Sequence, residues 1–413
     1  MTAAPHRVGE PSPLVFHLAA ALSAYLQGLM AAPLARSERF PWVGGLAERA
    51  RTLPADLDQL EVAREIATRL RAMLDGLETW QAHPYRRELP DPPAIWRCGQ
   101  SRLLDYGQAP EATNPDGPPV LVVPSLINRA YILDLAPGRS LLRALAAEGL
   151  RPVLLDWGIP ADAERALDLD GFGETRLLPA LAHLSEASGR APAVVGYCMG
   201  GTLSAGLAAR RRGVMTRLVT IGAPWDFASS AGIAGGLRTM TRSAGAERAE
   251  DWLRHLGDAF GLVPVEVFQT LFALINPIQA SLKFQRLNRM DPEGAAARLF
   301  VAVEDWVADG VPMPVPAARD LLVSWQIRNA TARGRWRFLG GRVDPRQITV
   351  PTLVFSGQGD MIAPPPLSEP LAAAIPGAQL VRPRTGHVGM VVGGHAGSAV
   401  MRPMARFLLG RDG

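Results

Sequence analysis

The sequence predicts an α/β fold in which a mostly parallel sheet carries helices on both faces. From about Trp96 onward, short β-rich runs alternate with longer helical stretches, which is the pattern of such sheets. The candidate catalytic residues also follow predicted strand ends, where ligands bind in parallel sheets. Before Trp96 the apolar residues recur at helical spacing among charges. We therefore expect residues 1–95 to form a helical N-terminal region.

Six apolar runs bounded by turn residues are the predicted strands: Val120–Val123, Val153–Asp156, Ala193–Gly196, Arg217–Ile221, Thr352–Ser356 and Gln379–Val381. Between them lie four predicted helices: Ser140–Glu148, Gly173–Ser188, Met199–Arg212 and Pro366–Ile375. Residues 96–222 and 351–413 thus form the two parts of one sheet domain. The interval between them has no clear strand and carries aromatic residues in a helical pattern. We interpret residues 223–350 as a helical lid; extra core packing without a gating role is the alternative.

Composition argues against nucleic-acid binding and against a disulfide-stabilised scaffold. The net charge is only +4, and the arginines are mixed with acidic residues, whereas a nucleic-acid partner would require a concentrated basic stripe. Two cysteines, Cys98 and Cys198, are too few for a disulfide scaffold, so we expect a reducing, cytoplasmic compartment. No metal site is expected.

The N-terminal part contains an uncharged stretch from Pro11 to Ala35. Its length is sufficient to cross a bilayer. However, five leucines recur at helical spacing and predict one apolar stripe on a packed or surface-lying helix: Leu14, Leu18, Leu22, Leu26 and Leu29. A membrane span or signal peptide is the alternative, although a basic start and a clear cleavage site are both missing.

Gly196-Tyr197-Cys198-Met199-Gly200 lies between a predicted strand and a predicted helix. This is the nucleophile-elbow pattern of the α/β-hydrolase fold, with cysteine in place of serine. Small residues on both sides let the backbone close around the nucleophile, and the following helix N-terminus favours negative charge there. Cys198 is therefore the candidate nucleophile. A buried structural cysteine in an ordinary turn is the alternative.

The other two candidate catalytic residues follow later strands. Asp360 lies in a glycine-containing turn after Thr352–Ser356, and His387 lies in another after Gln379–Val381. The order nucleophile, acid, histidine is that of the α/β-hydrolase fold. His387 would take the thiol proton, and Asp360 would hold the imidazole tautomer.

Backbone N–H groups would stabilise the negative charge that develops on the substrate carbonyl. Met199, the first residue after the nucleophile, is one expected donor. The loop after the first strand of the sheet domain supplies the second in this fold. Its candidates are Leu126 and Ile127, and the sequence does not choose between them.

Four segments together carry a specific resemblance: Leu126–Leu135, Asp156–Pro160, Gly196–Thr202 and Gly386–Gly389. From about Trp96 to the end, the chain resembles the polyhydroxyalkanoate synthases. Members of that family have the α/β-hydrolase fold and polymerise 3-hydroxyacyl-CoA thioesters on a cysteine.

The resemblance implies that Cys198 carries the acyl group, with His387 as base and Asp360 as its partner. It also implies that CoA is part of the substrate, so no separate cofactor is expected. Met361 departs from the family pattern, which often has histidine there, and Asp305-Trp306 departs from the usual Trp-Asn pair.

The function predicted on these grounds is a polyhydroxyalkanoate synthase-like acyltransferase that releases CoA. A cysteine-dependent hydrolase, such as a thioesterase, a polyester depolymerase or a dienelactone hydrolase, is the alternative. A non-catalytic protein on lipid or polymer surfaces is a third reading, against which the Cys, Asp and His argue. Expected partners are 3-hydroxyacyl-CoA and the surface of a cytoplasmic polyester granule. A homodimer and a separate partner subunit both fit; the tail after His387 resembles the shorter synthases that work with such a subunit.

Overall fold

The computed structural model describes residues 13–411 except 32–33, 35–36, 38–45, 53–57 and 230–231, and the backbone alone for 232–244. The strands are β1 (Ala94–Cys98), β2 (Ser101–Asp105), β3 (Pro119–Val123), β4 (Asp134–Ala136), β5 (Arg139–Ser140), β6 (Arg151–Asp156), β7 (Ala193–Tyr197), β8 (Leu218–Ile221), β9 (Arg337–Phe338), β10 (Gly341–Arg342), β11 (Thr352–Phe355) and β12 (Gln379–Val381). The α-helices are α1 (Leu14–Ala31), α2 (Leu46–Arg51), α3 (Gln59–Ala82), α4 (Leu141–Ala147), α5 (Leu169–Phe172), α6 (Leu178–Ser188), α7 (Met199–Arg210), α8 (Gly232–Phe260), α9 (Val265–Ala273), α10 (Gln279–Leu287), α11 (Ala295–Ala308), α12 (Val315–Arg319), α13 (Pro365–Ala374), α14 (Gly389–Val392) and α15 (Arg402–Leu408).

Eight strands form one sheet in the order β1, β2, β6, β3, β7, β8, β11, β12. From β6 to β12 all neighbours are parallel, whereas the β1–β2 hairpin is antiparallel and joins β6 antiparallel. Every residue of β3, β7, β8 and β11 is buried. Because side chains alternate between the faces of a strand, this burial requires cover on both faces of the sheet. The predicted fold class is confirmed.

The six predicted strands agree with the structure within two residues at each end. The β1–β2 hairpin was not predicted. Its two strands are short, and both mix apolar with charged residues directly after a Pro-rich stretch. The turn between them depends on Gly99, whose φ of 56° lies in the left-handed region that favours glycine. In the interval predicted to lack strands, the structure has the two-residue hairpin of β9 and β10.

The chain divides into two compact units. One contains residues 1–86 and 276–308, and the other contains residues 87–275 and 309–413. This division differs from a helical N-terminal region ending at residue 95 and from a single lid over residues 223–350. Helices α10 and α11 group with the N-terminal helices, whereas α8, α9 and α12 group with the sheet. Residues 1–12 lie outside the described residues. A gating role for the inserted helices stays a prediction.

The smaller unit is built around close contact between α3 and α10. A Cβ on Gly76 of α3 would lie 2.0 Å from the carbonyl oxygen of Phe284, so only glycine fits there. Next to this contact, the Trp80 and Phe284 rings lie 6.0 Å apart. The Trp80 indole N–H donates to a carboxylate oxygen of Asp305 at 2.9 Å. Asp305, which departs from the family pattern, thus joins α11 to α3.

Helix α1 packs on the same unit through a narrow face. Ala21 is buried and Leu18 and Tyr25 pack beside it, whereas Leu22 and Leu26 are each 47% exposed. The predicted leucine stripe is therefore only partly covered in this unit. Positions four apart drift by about 40° around a helix at every step, so the five leucines spread over an arc of about 120°. The part of that arc near Ala21 packs on the unit, and the part with Leu22 and Leu26 is exposed. In the part of the chain that the structure describes, α1 alone has the length and apolar composition of a membrane span. Core helices and signal sequences meet the same criterion.

A buried ionic network anchors the start of the sheet unit. Asp134 is fully buried. Its carboxylate accepts hydrogen bonds from Arg143 at 2.8 and 3.2 Å, from Arg87 at 3.2 Å and from the Tyr106 hydroxyl at 3.0 Å. Burial and the Asp134 charge raise the pKa of Tyr106, so its hydroxyl remains a donor at neutral pH. The network joins residues distant in sequence.

We expect Asp134→Ala to lower the free energy of unfolding by about 3–5 kcal/mol, because it leaves the buried Arg143 without its carboxylate. Urea unfolding followed by circular dichroism measures the loss. Asp344→Ala is the matched control, since Asp344 pairs with the exposed Arg346, and we expect at most about 1 kcal/mol there. Equal effects of the two substitutions would contradict a special role for the buried network.

Candidate active site

Cys198 lies at the sharp turn between β7 and α7. Its φ of 54° and ψ of −128° are a strained conformation for a residue with a side chain. The backbone on both sides is tied down, since Cys198 N–H donates to Ile221 O at 2.8 Å and Gly201 N–H donates to Cys198 O at 2.9 Å. The geometry is that of the predicted elbow, and the thiol is half-buried at the helix start.

Two glycines make this turn possible by leaving space. A Cβ on Gly196 would lie 2.4 Å from Gly201 Cα, and a Cβ on Gly200 would lie 2.2 Å from Val123 O and 2.4 Å from Pro124 O. Such contacts are shorter than real Cβ atoms make, so any side chain would push the helix away. Gly200 therefore lets the N-terminus of α7 approach the loop after β3.

The structure brings His387 and Asp360 together. His387 Nδ1 lies 2.6 Å from Asp360 Oδ2, and both side chains are buried. The other carboxylate oxygen of Asp360 accepts from the N–H groups of Ile362 and Ala363, each at 2.8 Å. Asp360 is thus held in place by its own loop while it faces the imidazole. Cys198 lies near enough to the imidazole to raise its pKa together with Asp360.

Two further residues fix the imidazole and were not predicted. Gly222 follows β8 with φ 56°, and a Cβ there would lie 2.9 Å from His387 Cε1. The Tyr197 ring packs on the His387 ring, with centroids 5.1 Å apart. The glycine after a predicted strand was the available signal for Gly222. Nothing in the sequence indicated that residue 197 meets residue 387, because that contact forms only when β7 lies near the loop after β12.

The charges around the imidazole favour its protonated form. Burial by itself would lower the pKa of His387, but Asp360 and Cys198 raise it to about 10. An imidazolium next to the thiol is the arrangement that stabilises a thiolate. Burial, followed by the charges of Cys198 and Asp360, raises the pKa of Tyr197, so that hydroxyl stays neutral.

The loop after β3 places Leu126 and Ile127 beside the elbow. Trp157 holds the start of the loop, since its indole N–H donates to Pro124 O at 3.1 Å. The N–H of Ile127 donates to Ser125 Oγ at 3.3 Å. The structure thus gives Ile127 N–H a partner within its own loop. Within the described part of the chain, the N–H groups of Leu126 and Met199 donate to no protein acceptor.

Cys98 lies apart from these residues at the end of β1. Its sulfur is 3.3 Å from a guanidinium nitrogen of Arg176 and 3.6 Å from Thr175 O. Both cysteines are free. Among the described residues, no group of three or more His, Cys, Asp or Glu side chains is arranged to hold a metal ion.

We expect Cys98→Ser to retain at least half of the wild-type rate of acyl transfer, because Cys98 touches none of the three candidate catalytic residues. Initial rates at saturating substrate measure this. A tenfold loss in a variant with unchanged circular dichroism would show that Cys98 takes part. The variant also leaves Cys198 as the sole thiol for labelling experiments.

Comparisons with known proteins agree with the observed fold. The family model of the α/β-hydrolase fold matches residues 118–393. The poly(3-hydroxyalkanoate) polymerase subunit PhaC of Haloferax mediterranei is 29% identical over 338 residues, which are 81% of this chain and 66% of that protein. The subunit of the same name from Haloarcula marismortui is 28% identical, over 78% of this chain and 70% of its own length. That of Allochromatium vinosum is 26% identical, over 86% of this chain and 99% of its own length.

The chain belongs to the α/β-hydrolase fold family, and the relatives it resembles over most of its length are poly(3-hydroxyalkanoate) polymerase subunits. It spans slightly less than two thirds of its Haloferax relative and almost the whole of its Allochromatium relative.

The segments that carry the synthase resemblance have separate structural roles. Leu126–Leu135 contains the loop beside the elbow and ends in the buried Asp134. Trp157, in Asp156–Pro160, ties that loop down. Met361, one of the two departures from the synthase pattern, is 51% exposed directly after Asp360. The departure therefore replaces a side chain at the surface of the Asp360 loop and leaves the Asp360–His387 contact unchanged.

Proposed function

We propose that this chain is an acyltransferase that polymerises 3-hydroxyacyl groups from CoA thioesters, with Cys198 as the acyl carrier. The observation that carries the proposal is the His387–Asp360 contact near Cys198 on its elbow turn, in a chain whose relatives are named poly(3-hydroxyalkanoate) polymerase subunits. His387 acts as general base and acid, and Asp360 orients it and stabilises its charge.

In the acylation step, Cys198 Sγ attacks the thioester carbonyl carbon while its proton resides on His387. The carbonyl oxygen becomes an oxyanion as the new C–S bond forms. Collapse of this intermediate breaks the bond to the CoA sulfur, which receives the proton from His387 and leaves as a thiol. The product is an acyl thioester on Cys198.

In the transfer step, the hydroxyl of another 3-hydroxyacyl group attacks that thioester. His387 removes the hydroxyl proton, the ester bond forms, and the Cys198 sulfur leaves. A thioester suits this sequence because exchange between CoA and cysteine sulfurs is nearly isoenergetic, so the acyl group stays activated. A serine ester would be a poorer acyl donor.

The proposed oxyanion donors are the N–H groups of Met199 and Leu126. Met199 stands at the first position of α7, where backbone N–H groups have no partner within the helix. Between the two candidates after β3, the N–H of Ile127 already donates to Ser125 Oγ. Leu126 is therefore the better candidate. The small space around Gly200 brings this loop and the helix start together.

The proposed setting follows from the product and from the relatives. A growing polyester is apolar, so the enzyme would act at the surface of a granule in the cytoplasm, with CoA as part of the substrate and no further cofactor. The relatives are named as subunits. Assembly with a separate partner subunit, or as a homodimer, is accordingly part of the proposal.

The test is incubation of the purified protein, with and without a candidate partner subunit, with 3-hydroxybutyryl-CoA. A thiol reagent measures the CoA that is released. The product is separated into chloroform-soluble polymer and free 3-hydroxy acid. We expect polymer to account for most of the CoA released. Free acid as the main product under both conditions would favour the hydrolase alternative, and no CoA release from any acyl-CoA would refute acyl transfer.

A further inference from the structure

A short antiparallel ladder joins the loop after β3 to residues 309–313, which we call the strap. Val311 N–H donates to Ile127 O at 2.9 Å. The next pair, Asn128 and Gly310, forms an isolated β-bridge. One step further, the Arg129 guanidinium lies 3.6 Å from Asp309. Three successive residues of the loop thus face three successive residues of the strap.

The strap is fixed at its other end as well. Val263 N–H donates to Met313 O at 2.8 Å, and Met313 N–H donates to Val263 O at 3.0 Å. Val263 and Met313 are both buried. The strap begins directly after α11, where the chain returns from the inserted helices. It is therefore a short segment held by backbone hydrogen bonds on both sides.

Residue 310 must be glycine because there is no space for a side chain, and not because of its backbone conformation. A Cβ there would lie 2.0 Å from Val265 Cγ2 on α9, and its φ lies outside the left-handed region. The strap therefore runs between α9 on one side and the loop after β3 on the other. Any displacement of the strap away from α9 changes the position of the loop that it pairs with.

We propose that the strap positions the oxyanion loop, with Gly310 and Val311 as positioning residues. The peptide groups on the two sides of Ile127 are both held: the N–H by Ser125 and the carbonyl by Val311. With both held, the preceding peptide, which carries the Leu126 N–H, has little freedom to rotate. A donor that is oriented before the reaction stabilises an oxyanion better than one that must reorient. This inference rests on the proposed acyl transfer.

Two reactions of the Cys198 thiol distinguish a misplaced oxyanion loop from a disturbed triad. Alkylation of Cys198 by iodoacetamide needs the thiolate but forms no oxyanion. Acyl transfer from 3-hydroxybutyryl-CoA, or from a 4-nitrophenyl ester, needs both. A fault in the oxyanion loop therefore lowers acyl transfer and leaves alkylation unchanged, whereas a disturbed triad lowers both.

The experiment uses the full chain with Cys98→Ser, so that Cys198 is the sole thiol. We expect Gly310→Ala to lower kcat for acyl transfer by about tenfold to a hundredfold, approaching the loss of one oxyanion donor, with KM within threefold. The alkylation rate should remain within twofold of the parent. Gly397→Ala is the matched control, since a Cβ there meets nothing within 4 Å, and it should change neither rate.

A second substitution that relieves the clash tests whether the loss caused by Gly310→Ala comes from displacement of the strap. Val265→Ala removes the methyl that the new Cβ would meet, so the double variant with Gly310→Ala should regain most of the lost kcat. Val311→Pro removes the N–H that holds Ile127 O and should reproduce the selective loss without crowding α9. The proposal is overturned if Gly310→Ala and Val311→Pro leave acyl transfer unchanged, or if alkylation falls in parallel. If the parent releases no CoA but cleaves the nitrophenyl ester, the synthase proposal fails while the ester still tests the strap.

Discussion

Replacing Cys198 by alanine is expected to lower the rate of CoA release by at least about 10⁴-fold, because the other thiol, Cys98, lies apart from His387 and Asp360. The half-buried thiol occupies the strained turn at the start of α7 and lies near His387, whose pKa it raises. Stopped-flow thiol detection measures the rate, and mass spectrometry of the intact protein measures the acyl adduct. Both signals should disappear while circular dichroism and the urea midpoint stay close to those of the parent.

Cys198→Ser serves as the matched control for this variant. Serine keeps a nucleophilic atom and the elbow, but its hydroxyl is not stabilised as an anion by the neighbouring imidazolium, and its ester is a poorer acyl donor. We expect slow acylation and very little polymer. If Cys198→Ala retained more than a hundredth of the parent rate, the acyl group would have to reside elsewhere, and Cys198 would lose its assignment.

Asp360→Asn is expected to lower the rate by about 10⁴-fold, as the same change does in serine triads. An amide can hold the imidazole in place but can donate to Nδ1, which favours the wrong tautomer. It also removes the charge that holds the pKa of His387 above its usual value, to about 10. With Cys198 alone left to oppose burial, the pKa should fall, and fewer molecules carry the imidazolium at neutral pH.

Alkylation of Cys198 by iodoacetamide between pH 5 and 10 reports this change, because the imidazolium stabilises the thiolate. We expect slower alkylation of Asp360→Asn near pH 7. Stability responds as well. A histidine whose folded pKa is raised contributes stability that is complete below about pH 6.5 and is lost as the pH rises through about 10. That pH dependence should vanish in the variant. Asp344→Asn, at the surface, should change neither property, and equal activity of the two variants would refute the role of Asp360.

The parallel sheet and the candidate site could be predicted because their signals are local. A run such as Val120–Val123 is apolar throughout because both of its faces are covered, and its neighbours are turn residues. The elbow needs small residues on both sides of Cys198, and these stand within five positions in the sequence. Asp360 and His387 could be proposed because chain order and strand ends together restrict where such residues lie in this fold.

The contacts that hold the site depend on residues far apart in the chain. Tyr197 and Gly222 shape the position of His387, and the strap meets the loop after β3 across more than 180 residues of sequence. Whether Leu126 or Ile127 is the free donor depended on the Ser125 hydroxyl, which the sequence leaves open. Such contacts follow from how strands and loops are arranged in space.

By itself, the sequence determined the strand and helix pattern and the elbow, and it proposed Cys198, Asp360 and His387 as candidates, since periodicity and spacing along the chain express these features. Only the tertiary structure decided that α10 and α11 group with the N-terminal helices. It alone showed which face of α1 is buried, and it alone revealed the strap. Apolar helix faces are chemically alike, so a sequence shows that a face must be covered without showing by what. The choice of partner follows from shape, as when Gly76 admits the backbone of Phe284.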